Sequence, residues 1–128
     1  METNSNGNES LFLVVLRTGM NQPGQVRAAL MYASLAAAMD QEVVVYCVQE
    51  GADPFKKGVM ETEPVKPGTP TIAQRYAEAL EMGVRVEVCE QTASVRNIKE
   101  EELVEGAVMR GGASLIDYAL QAKGTLTF

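Results

Sequence analysis

The sequence contains no histidine. That absence removes Ser–His and Cys–His catalysis and leaves zinc without its usual nitrogen ligands. A nucleophile in this chain has to be tuned by something other than imidazole. Cysteine is scarce too: Cys47 and Cys89 are the only two, too few for a secreted disulfide scaffold, and in a reducing compartment both are free thiols. There is no basic run or stripe to neutralise phosphates, and 17 acidic against 11 basic residues give a net charge of −6, which argues against direct nucleic-acid binding. No apolar run approaches the ~20 residues of a membrane span. The first ten residues, METNSNGNES, lack the basic and apolar regions of a signal peptide and read as a disordered tail. A cytoplasmic protein is expected.

What is present reads as one domain over residues 11–128, with an apolar fraction of 46 % that is ordinary for a globular chain. LFLVVLRTG (11–19), EVVVYCVQEG (42–51), VRVEVC (84–89), GAVMRG (106–111) and the closing TLTF read as strands. Between them, 21–40, 72–82 and LIDYALQAK read as helices. Thr71 and Gln74 have the spacing of a capping box, and Ser114 with Asp117 is a candidate cap for the last helix. Short helical pieces are expected over Thr92–Asn97 and over 98–105. Hairpin signals, internal repeats and a second domain are all missing. Strands alternating with helices in this way predict an α/β chain with a parallel sheet and helices on both faces. The stretch 51–70, with four prolines and three glycines, is the irregular part; it reads either as a functional lid or assembly contact, or as a surface insertion.

In such sheets reactive groups gather at the carboxyl ends of the strands. The run from Gly19 to Gly24 has the spacing of a phosphate loop, but Gln25 and Val26 stand where a lysine and a hydroxyl residue are needed. A weaker anion or ligand site there, with Arg17, Thr18 and Gln25 as contacts, is the remaining reading. VRVEVCEQTASVRN carries more. Strand alternation puts Val84, Val86 and Val88 on one face and Arg85, Glu87 and Cys89 on the other, so that face is expected to be partly solvated or in a polar contact. A helical turn starting at Thr92 or Ser94 would aim its amides at Cys89, and Arg96 would add positive charge; both favour a thiolate, while Glu90 opposes it. Cys89 is therefore either a reactive thiol or a half-buried inert one. Cys47, inside VVVYCVQ, reads as a packed core residue, and the seven methionines read as core fillers.

The apolar first strand ending in Thr18-Gly19, the cysteine in GVRVEVCEQTASVRN, the segment GAVMRGGASLIDYALQA and the final TLTF together resemble the DsrE/DsrF-like sulfur-relay family, which includes the TusBCD-type carriers. The likeness runs from Leu11 to Phe128. It implies a three-layer α/β/α fold with a five-stranded parallel sheet in the order 4-3-2-1-5, and assembly into homo-trimers or homo-hexamers. It also implies that Cys89 takes a sulfane sulfur from a donor protein, as a persulfide or thiosulfonate, and hands it to an acceptor protein. Arg96 matches a basic position in a supporting role, and Asn97 stands where many relatives have glycine. Such a carrier needs no metal or organic cofactor. The alternatives are a thiol redox sensor using Cys89 with Cys47 as its internal resolving thiol, and a non-catalytic assembly or ligand-binding subunit.

Overall fold

The structure, a computed structural model, describes residues 10–128; the tail expected over 1–10 lies outside the described residues except for Ser10. Five strands, β1 (Leu11–Leu16), β2 (Glu42–Cys47), β3 (Arg85–Cys89), β4 (Ala107–Arg110) and β5 (Gly124–Thr127), form one sheet in the order β4-β3-β2-β1-β5. Every pairing is parallel. Fold class and strand order are as expected.

Two cores lie on the two faces. On one, Val14, Leu16, Val43, Val45, Cys47, Val86 and Val88 pack against α1 (Pro23–Ala38) and α2 (Ile72–Glu81). Pro23 opens α1, where its missing N–H costs nothing. The Thr71–Gln74 capping box opens α2, with Gln74 N–H donating to Thr71 Oγ1 at 3.1 Å and Thr71 N–H to Gln74 Oε1 at 2.8 Å. On the other face Leu11, Leu13, Val44, Tyr46 and Cys89 are covered by α4 (Gly112–Gln121), through Leu115, Tyr118 and the following Ala122. This helix joins β4 at one sheet edge to β5 at the other, so it crosses the face alone.

Four expectations are corrected or made more definite. Stretch 51–70 is no simple loop: a 3₁₀ segment, Gln49–Phe55, and a second, Met60–Thr62, sink Phe55, Met60 and Glu63 into the protein. Glu63 accepts the Ile72 N–H at 2.7 Å and pairs with Arg27, which ties the end of the segment to the start of α2 and to α1. The short helical piece expected over 98–105 is a 3₁₀ turn, Glu100–Glu102, after which Leu103 is drawn into the core and bridges Lys56. Ser114 does not cap α4; Gly111 occupies that position, and the Ser114 N–H donates to Gly111 O at 3.0 Å within the first turn. Finally, the face shared by Arg85, Glu87 and Cys89 is solvated only at Arg85. Side-chain parity is as expected, but α4 closes over it and leaves Glu87 1 % exposed.

Candidate functional site

Cys89 closes β3 and is at once the N-cap residue of the short helix α3 (Glu90–Val95). The helix thus begins at the cysteine itself, ahead of the expected Thr92 or Ser94. The residue is 8 % exposed. In the neutral thiol it caps nothing; its S–H donates to Gln91 Oε1 at 3.2 Å. Burial pushes the thiol up, but the Thr92 N–H, the hydroxyls of Tyr46 and Thr92 and the Gln91 N–H favour the anion and together hold it below the ordinary value. Thr92 Oγ1 accepts the Gln49 N–H at 3.2 Å, which leaves its own proton free for the sulfur.

Charge around the thiol is arranged by neighbours remote in sequence. Glu87 accepts the Tyr118 hydroxyl at 2.7 Å and lies 3.6 Å from Arg85 Nε and 4.0 Å from Arg110 Nε. Arg110 is the register partner of Cys89 on β4. Neither Tyr46 nor Arg110 was expected at the site. Tyr46 could have been placed by alternation, since it sits out of phase with Cys47; the pairing of Arg110 with Cys89 has no local signal.

The other expected residues fall as follows. Thr92 is beside the sulfur. Ser94 is exposed in the last turn of α3. Arg96 caps that helix at its far end and is held by Asp53 through bonds of 2.7 and 2.6 Å; that bond raises its own affinity for the proton. With Gln49, Glu50, Gln91, Thr92 and Val95 it lines an open cleft of about 580 Å³ on the Gln91–Thr92 side of the cysteine. Asn97 has φ +57°, the left-handed region that favours glycine and that asparagine tolerates, so its difference from relatives leaves the turn intact. Arg17 and Thr18 line a second cleft of about 260 Å³ with Asn21, Gln22, Gln49 and Glu50, while Gln25 is not in its wall. The glycine at the head of the phosphate-loop spacing serves a chain crossing instead. A Cβ on Gly19 would stand 2.5 Å from Glu50 O, and one on Gly51 only 2.2 Å from Leu16 O.

Among the described residues no group of three His, Cys, Asp or Glu side chains is placed to hold a metal ion, and no helix is long and apolar enough to cross a membrane. Fold and site together define an α/β protein with one polarised thiol at the carboxyl edge of a parallel sheet. The chain belongs to the DsrE/DsrF-like family, whose signature matches residues 10–128 and which is associated with sulfur relay. It is 29 % identical over 106 residues to the uncharacterised protein MJ0760 of Methanocaldococcus jannaschii, a match covering 82 % of this chain but only 38 % of that one. The chain therefore spans well under half the length of that relative. A second M. jannaschii protein, the uncharacterised MJ0989, is 27 % identical over 91 % of this chain and 98 % of its own. The crystal structure of the ychN protein from E. coli superposes with a TM-score of 0.70 at 16 % identity, over 94 % of this chain and 99 % of that one, a likeness of fold.

Proposed function

We propose that the protein is a sulfur carrier, in which the Cys89 thiolate accepts a sulfane sulfur and passes it to the thiol of a partner protein. The observation that carries this reading is the position of the Cys89 sulfur, at the first turn of α3, where amides and hydroxyls outweigh the cost of its burial. With thiosulfate as donor, the thiolate attacks the outer sulfur; a Cys89 S–S bond forms, the donor's S–S bond breaks, and sulfite leaves with its electron pair. With tetrathionate, thiosulfate leaves and a thiosulfonate remains on the cysteine. An acceptor thiolate then attacks the outer sulfur of the persulfide and Cys89 departs as thiolate. These steps need neither histidine nor metal.

Intact mass after exposure to these donors tests it. The expected result is a thiol-reversible gain on the wild type, one sulfur from thiosulfate or one thiosulfonate group from tetrathionate, that vanishes completely in Cys89→Ser. No gain on the wild type sinks the proposal. The redox-sensor alternative loses its internal partner, because Cys47 is fully buried on the opposite face of the sheet and burial pushes its thiol up.

Assembly is supported by α4, which has no buried residue and exposes Ile116 (59 %) and Leu120 (83 %). A homo-trimer or homo-hexamer using this helix is expected to sediment as such, and Leu120→Glu as a smaller species. A wild-type monomer counts against it.

A further inference from the structure

We infer that Tyr46 is a positioning residue for Cys89, its buried hydroxyl turning its one proton from the backbone at the β4–α4 junction onto the sulfur when the thiol ionises. The inference takes its purpose from the carrier reading, but its test does not use sulfur transfer.

The geometry follows from the sheet. Tyr46 lies on β2, on the same face as Cys89 and in the same apolar cluster, with no exposed surface. Its hydroxyl donates to Gly111 O at 2.8 Å and to Arg110 O at 3.1 Å. Those carbonyls belong to the end of β4 and the residue after it, and β3 lies between β2 and β4. The phenol thus spans β3 from beneath, and it ends at the residue that is Cys89's own register partner. The ring is fixed edge-on against Tyr118, centroids 6.4 Å apart, so only the O–H direction is free.

One proton shared between two carbonyls is poorly committed to either. Arg110 is exposed and Gly111 half-buried, so water can replace the phenol at that junction. Cys89 is shielded from water, and a charge formed there depends on protein donors. The hydroxyl therefore gains most by facing the sulfur once it is an anion. Charged and titratable groups from each neighbouring element leave room for this. On β3, Glu87 is taken up by Tyr118 from α4 and by Arg85 and Arg110. On α3, Glu90 is exposed. Burial pushes the Tyr46 phenol itself above its ordinary range, so it stays a donor throughout.

The test is the pH dependence of Cys89 alkylation by iodoacetamide in the full chain, with Cys89→Ser as blank. In Tyr46→Phe, which keeps the ring, the inflection is expected to move up by about one unit, with roughly tenfold slower reaction below it and a plateau within about twofold of wild type. An unmoved inflection, or a lowered plateau with the inflection in place, overturns the inference. Wild-type protein carrying ¹³C at the tyrosine ζ carbons gives a reading that does not depend on the variant's folding. The Tyr46 resonance should shift with the Cys89 inflection and stand still in Cys89→Ser; a resonance indifferent to Cys89 overturns the proposal. Failure of sulfane loading leaves both readouts unaffected, so the two proposals fail separately.

Discussion

Phe55→Ala is expected to lower the unfolding free energy by about 3–5 kcal/mol, while Cys89 in the protein that remains folded alkylates at the wild-type rate within about twofold. Phe55 has no exposed surface and packs its ring against Tyr76, centroids 5.5 Å apart. Its carbonyl accepts the Val104 N–H at 2.8 Å, and its neighbour Lys56 bridges Leu103. From Ala52 to Met60 the segment after β2 is therefore built into the core over α2, on the face opposite the one Cys89 occupies. A lid over the cysteine would behave in the reverse manner: cutting its anchor would cost little stability and speed alkylation. For a domain of this size a loss of that magnitude is a large share of the whole, about 5–15 kcal/mol. Chemical denaturation and iodoacetamide kinetics on the same variant decide it. A loss under about 1 kcal/mol with faster alkylation would restore the lid.

What could be read beforehand was what short-range periodicity controls. The Thr71–Gln74 box needs three residues of context and formed as expected. Alternation in VRVEVC gave the correct side for Cys89, and the alternation of strands and helices gave the parallel sheet. The consequence drawn from that side held in part: Arg85 is exposed, but Glu87 meets the Tyr118 hydroxyl, some thirty residues on, a contact that local spacing does not reveal. Arg96 shows the same limit: four residues from Thr92 it reads as a cation for the cysteine, yet Asp53 holds it from 43 positions away. Composition marked 51–70 as irregular without revealing that Glu63 would fasten it by accepting from Ile72. Each of these three is a polar pairing made by the fold, for which sequence spacing carries no signal. The strand order itself came from family resemblance and not from the residues.

Raising the pH above about 9 should unfold the protein progressively, with Cys47 as the first cause. In the unfolded chain this thiol loses its proton near its ordinary value of about 9, whereas burial keeps the proton on in the fold. Above that pH the unfolded state binds fewer protons. The stabilisation is therefore complete below it and falls by roughly 1.4 kcal/mol per pH unit for each such group. Tyr76, pushed up to about 12 chiefly by burial, and Tyr46, raised for the same first reason, join from about pH 10. By about pH 11 the three together cost roughly 5 kcal/mol, close to the whole stability of a modest domain. Cys89 has the opposite sign. Its folded value is depressed, so its contribution is present above the ordinary thiol value and is lost as pH falls through the folded one. Denaturant melts between about pH 7 and 11 separate the two thiols: Cys47→Ala should make the alkaline decline shallower by one proton, and Cys89→Ser should leave that slope unchanged. A stability flat to pH 11 would mean that Cys47 ionises freely in the fold. Cys47 and Val88 are register partners, so the two cysteines are one residue apart along adjacent strands. Only the sheet, by turning one towards α1 and α2 and the other towards the start of α3, lets burial push one thiol up while amides and hydroxyls hold the other down.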